Sequence, residues 1–213
     1  MSEPPHSLEF RVRHQFPALF ITLVSVLIGL VLADLVAEAR ARMVLWPLSL
    51  ATLRTWAQLG AMGTSALLAW IVYSHTGITR ERVPTLMDSL IAFLVPIPLL
   101  IGTTLVGRDD IWPWFYYASG YLVLSMFTVV WMLRAVGKDT QHAPFRAMLR
   151  PSGMLSIFYA GIPFFAAAGW ADSHGWLSPW QQDAIAASPI PAALILGIIF
   201  FHDWRRAIAT PLG

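Results

Sequence analysis

Apolar and polar positions along this chain fall into long blocks. Six apolar stretches, at about residues 16–37, 53–73, 84–106, 111–133, 151–170 and 184–201, contain few charges, and almost every charged side chain lies between them. A helix of about 20 apolar residues crosses the roughly 30 Å hydrocarbon core of a bilayer. The pattern therefore predicts an all-α fold: a polytopic transmembrane helical bundle of six spans, built as one domain over residues 1–213 with short links. Pro96 and Pro98 interrupt the third stretch, and Pro189 and Pro191 interrupt the sixth. Proline removes a backbone donor and kinks a helix, which membranes tolerate where neighbours cover the freed carbonyls. The two pairs are loose counterparts, as a three-plus-three inverted repeat of a transporter would produce. No strong internal repeat accompanies them.

Composition points the same way. Apolar residues make up 57% of the chain and charged residues 12%, against about 25% charged in a soluble domain. That supply cannot cover a water-facing surface. The net charge of +2 comes from Arg residues at span ends, where orientation signals sit, so nucleic acid is not expected as a partner. There is no cysteine, which removes disulfides, thiolate metal sites and cysteine nucleophiles. Residues Met1 to Gln15 are polar and carry both acids and bases. They lack the apolar core of a cleavable signal, so the first span is expected to stay as an anchor.

Charge then sets orientation. Arg11, Arg13, Arg80, Arg82, Arg134, Lys138, Arg146, Arg150, Arg205 and Arg206 fall on the N-terminal side of the predicted bundle, and Arg40, Arg42, Arg54 and Arg108 on the other. Basic residues concentrate on the cytoplasmic side, so both termini are expected there. Tryptophan fits this map, since indoles favour the headgroup layer. Trp46, Trp56, Trp112, Trp114, Trp170, Trp176 and Trp180 mark the outer boundary, and Trp70, Trp131 and Trp204 the inner one.

Few residues carry candidate chemistry. Asp34 is the charge set deepest in a span, and an ionised carboxylate there needs a partner or water. Arg54 is the natural partner, with Arg40 and Arg42 as rivals, and Glu38 lies one turn beyond. Such a set ties spans one and two together, or binds a proton or cation. Asp88 begins span three, where a helix dipole favours it. Ser25, Gly29, Ala33 and Ala37 share one helix face and predict a close helix seam or a pore-facing stripe. Gly60, Gly63 and Thr64 in span two, and Pro189, Ala193 and Gly197 in span six, invite the same readings.

His75 and His202, with Asp88 and Asp203, are the nearest approach to a metal or proton site, but their spacing matches no metal motif. An enzyme would require His75, Asp88 and His202 to converge. No Gly-x-Ser-x-Gly, phosphate-binding glycine loop or Ser/His/Asp set appears, and the only lysine, Lys138, lies in a link. Neither catalysis nor a cofactor is expected.

Two resemblances add to this reading. Ile28-Gly29-Leu30-Val31-Leu32-Ala33-Asp34-Leu35, followed by Trp46-Pro47-Leu48 and Trp56, resembles small uncharacterised bacterial membrane proteins over the first third of the chain. It implies a bacterial plasma membrane and no particular activity. Six spans with both ends inside, Trp70 and His75 closing span two, and Pro96-Ile97-Pro98 resemble the bacterial and lysosomal potassium channels. Those channels carry Arg-x-x-x-Phe-Ser-Asp at the start of span one. This chain has Arg13-His14-Gln15-Phe16-Pro17-Ala18, without the Ser-Asp. That likeness implies an oligomer whose pore is lined by span one. The expectation is a small ion channel or transporter in the lipid bilayer, able to form a homo-oligomer. The alternative is a non-catalytic scaffold or accessory subunit.

Overall fold

The computed structural model describes residues 8–42, 50–79, 90–91, 93–135, 154–191, 194–195 and 198. Among them all regular structure is helical: α1 Leu8–Arg42, α2 Leu50–Thr79, α3 Pro96–Thr103, α4 Trp112–Ala135, α5 Met154–Ser173 and α6 Pro179–Ala187. One helix among the described residues is long and apolar enough to cross a membrane, Ala18–Arg42 of α1, with a mean hydropathy of 2.7.

The first three helices form one group. Phe20, Val24, Ile28, Val31 and Leu35 recur at three- and four-residue steps, so they share one face of α1. That face is buried with Leu59, Met62, Ala66 and Tyr73 of α2. The helices run antiparallel: Ser25 Oγ accepts a hydrogen bond from Trp70 Nε1 at 3.0 Å, while Leu35 lies near Gly63. α3 runs alongside α1 in the same direction, with Thr103 at Asp34 and Gly107 at Arg42.

α4 and α5 form the second group and the most extensive helix pair. They are antiparallel, with Ser119 Oγ donating to the Ile162 carbonyl at 3.0 Å and Phe115 against Phe165 at a ring distance of 6.4 Å. Gly161 faces Leu122 and Gly169 faces Tyr116 so closely that an added Cβ would press on either side chain. Small residues bring the backbones together here.

α6 runs parallel to α2 and joins the first group, with Asp183 at Arg54 and Ile190 at Gly60. It starts earlier than the apolar run suggests. Ser178 is extended, Pro179 opens the helix, and Gln181 Oε1 accepts the Ser178 backbone N–H at 2.9 Å, half of a capping box.

Many large apolar side chains point outward. Leu19 is 66% exposed, Tyr159 67% and Ile198 69%, with Leu30, Ile101 and Phe127 also exposed. Trp56, Trp70, Trp112, Trp170, Trp176 and Trp180 are exposed too, whereas Trp114 is buried at 3% and packs on Tyr117. The expectation that Trp114 belongs to an outer belt fails because Ile111, Trp114 and Phe115 turn into the core at the start of α4.

Candidate functional site

Two features gather the polar chemistry of the described residues. The first lies where α1 ends and α2 begins. Arg54 Nε donates to Asp183 Oδ1 at 2.5 Å and Arg54 Nη2 to Gln182 Oε1 at 3.1 Å. Gln182 Nε2 in turn donates to Asp172 Oδ1 at 2.6 Å. The start of α6 and the end of α5 are thereby tied to α2. Both partners of the Arg54–Asp183 pair are largely shielded, at 14% and 15% side-chain exposure.

The turn after α3 is held from two sides. Gly107 N–H donates to Gln58 Oε1 at 2.9 Å, and its carbonyl accepts from Arg42 Nη1 at 3.1 Å. Gly107 has φ 64°, a left-handed conformation that glycine adopts without steric cost. An added Cβ would also collide with the Arg42 guanidinium. Asp34 accepts a hydrogen bond from Thr103 Oγ1, which also lies 2.7 Å from the Leu100 carbonyl.

This network departs from the expected pairing. Arg54 faces Asp183 rather than Asp34, because α6 packs on α2 along the Arg54 face. Glu38 pairs with Arg42 one turn on, at 3.1 Å, rather than joining Asp34. Asp183 and Gln182, absent from the sequence candidates, complete the cluster. The Ser178-Pro179 start signal, which moves both residues into a helix, was the available clue.

The second feature is a cavity of about 500 Å³ between the two helix groups. Its walls come from Ser65 to Tyr73 on α2, Tyr121 to Val129 on α4 and Ile157 to Phe165 on α5, with Val95, Ser188 and Pro189. Val95 and Ser188 each immediately precede a Pro-Ile-Pro sequence and each sits at a turn in the helical path. The two interrupted segments therefore meet at one cavity. Among the described residues its polar lining consists of hydroxyls: Ser65, Tyr73, Tyr121, Ser125, Thr128 and Ser188.

The remaining sequence candidates scatter. Gly29, Ala33 and Ala37 lie on the exposed side of α1, and nothing stands within 4 Å of a Cβ added at Gly29. The seam with α2 is built instead by the neighbouring face that carries Val24, Ile28 and Val31. Ser25 is half-buried and bonded to Trp70. Gly60 packs on Ile190, and Thr64 Oγ1 donates back to the Gly60 carbonyl at 2.7 Å. Asp88, Gly197 and His202 lie outside the described residues, and of His75 only the helical backbone is described. Among the described residues no group of three His, Asp or Glu side chains is placed to hold a metal ion.

No known protein family, curated protein or solved structure matches this chain.

Proposed function

We propose that this chain is a six-span membrane protein, both termini cytoplasmic, that carries a small solute by way of the cavity between its two helix groups. The observation that carries the reading is the meeting of both Pro-Ile-Pro interruptions at one cavity of about 500 Å³. Paired interruptions in corresponding spans of two three-span halves are the sequence pointer to a transporter's binding site near the bilayer midplane. An odd number of spans per half makes such halves inverted.

The membrane setting has separate support. Large apolar side chains cover the outward faces of both groups, whereas a soluble monomer seldom exposes an apolar patch beyond a few hundred Å². Within each packed pair the relative directions are those that successive crossings would have. α1 and α3 are parallel, α2 and α6 are parallel, and α1–α2 and α4–α5 are antiparallel. The polar network then gathers the three links predicted to lie outside.

No charged side chain lines the cavity among the described residues, which favours a neutral solute over an ion. In liposomes the protein is expected to conduct potassium, sodium and protons no better than empty vesicles. Selective flux of any of them would return the channel reading. Access is tested directly, because the chain lacks cysteine. Ser125→Cys in the cavity should react with a membrane-impermeant maleimide from one side of sealed vesicles. Val123→Cys, on the outward side of α4, should not. A Ser125→Cys thiol unreactive from either side, in folded protein, would sink the transport reading.

A scaffold role has one observation in its favour, the uncovered Gly29-Ala33-Ala37 stripe. Small residues permit close packing in lipid, here against a second copy. Ala33→Cys crosslinking into a dimer in native membranes is its test.

A further inference from the structure

Resting on the transport reading above, we infer that the cavity opens sideways into the bilayer and takes a hydrocarbon chain from it, so that the molecule carried is a chain-bearing one dissolved in the membrane. The position of the mouth carries this. Among the residues that line the cavity, Ala160 and Phe164 of α5 are also exposed on the outside, Phe164 at 47%. A side chain that borders the cavity and the exterior at once forms part of the rim. Tyr159 and Pro163 beside them are exposed as well, so this face of α5 carries no charge. Ala160 and Phe164 stand twelve and eight residues before Asp172, about 18 and 12 Å from the polar network at that end of the helix. In a hydrocarbon core roughly 30 Å thick, an opening at that depth faces lipid chains and not water.

The interior suits such a chain. Its volume of about 500 Å³ is more than three times the roughly 150 Å³ of an apolar cavity that stays dry and admits benzene. Left empty, the lining atoms would forgo dispersion contacts on one side. Water is a poor filler, because each molecule needs about two to four polar partners and five of the six hydroxyls are already engaged within the protein. Thr128 Oγ1 donates to the Leu124 carbonyl at 3.0 Å, and Ser188 Oγ to the Ile185 carbonyl at 2.7 Å. Tyr73 is hydrogen-bonded to Thr128, and Tyr121 to Ser125. An ion would lose its hydration and find no opposite charge among the described residues of the wall. A hydrocarbon chain needs no partner at all. The walls from α2, α4 and α5 each run over nine residues, about 12 Å along helices that would lie in the direction of the lipid chains.

Photocrosslinking of the full chain tests the site. Phosphatidylcholine with a diazirine at the middle of one acyl chain is mixed into nanodiscs, and mass spectrometry maps the adducts after illumination. Val129 and Phe158 line the cavity and are buried, at 7% and 8% exposure, so in folded protein only an occupant of the cavity reaches them. Val123 and Phe127 point outward from α4, at 46% each, and report the surrounding lipid. Adducts are expected at all four. Ala160→Trp narrows the mouth and should lower the ratio of inner to outer adducts several-fold. Phe164→Ala widens the mouth and should raise it.

The inference is overturned if Val123 and Phe127 carry adducts while Val129 and Phe158 carry none. It is equally overturned if neither variant moves the ratio. Adducts at Val129 and Phe158 read access from lipid and need no passage between compartments, whereas maleimide reaction at Ser125→Cys reads access from water and needs no lipid in the cavity. Adducts without thiol reaction would therefore uphold the lipid site and remove the transport reading. Thiol reaction without adducts would remove the lipid site and leave transport standing.

Discussion

At the scale of single residues, the Arg54–Asp183 pair is the contact whose removal should be felt most. Both side chains are largely shielded, and Asp183 Oδ2 is buried with no partner of its own. Removing one member of such a pair strands a buried charge, at about 3–5 kcal/mol, whereas replacing both with apolar groups is often neutral. Arg54→Met is therefore expected to lower the thermal midpoint sharply. The double variant Arg54→Met with Asp183→Leu should recover most of the loss, and Asp34→Asn should cost about 1 kcal/mol or less, since an amide oxygen still accepts from Thr103. Unfolding in nanodiscs reads all three, and an Asp34→Asn loss as large as that of Arg54→Met would contradict the observed pairing. The sequence exposed Arg54 and Asp34 as charges in need of partners. It could not choose between them, because complementary charge says nothing about which helices pack together.

At the scale of elements, apolar run length located most helices, since chain length against bilayer thickness is a one-dimensional property. Lateral order is not. The small-residue stripe of α1 looked like a seam, yet bulky Val24, Ile28 and Val31 fill that seam, and close glycine packing occurs at Gly161 and Gly169 of α5 instead. Side-chain size permits a contact without dictating it. The proline pairs were legible as interruptions, but their convergence on one cavity required the three-dimensional arrangement. That convergence makes them testable as elements. A proline inside a helix costs about 3 kcal/mol, so restoring a continuous helix should stabilise the fold while closing the cavity. Replacing Pro189 and Pro191 together by Ala is expected to hold or raise the thermal midpoint and to slow maleimide labelling of Ser125→Cys several-fold. Faster labelling, or a large fall in midpoint, would mean that the proline break is a packing requirement unrelated to access.

At the scale of the whole molecule, charge and packing make independent statements about sidedness. Packing brings three links to one end: Arg42 and Gln58 hold Gly107, and Arg54 holds Asp183 beside Gln182 and Asp172. Asp109 and His174 lie in two of those links, so they must report the same side whatever that side is. Charge adds which side it is, because six spans would put ten of the fourteen basic residues on the opposite face. In intact cells, Asp109→Cys and His174→Cys should react with an impermeant maleimide, and Lys138→Cys should react only after the membrane is opened. If Asp109→Cys and His174→Cys agree with each other but label only after opening, the packing stands and the charge asymmetry has been outweighed. If the two disagree, α3 and α6 do not share an end, and both the polar network and the cavity beneath it lose their basis. The pair of labels thus separates an error in orientation from an error in fold, which neither hydropathy nor charge counting does alone.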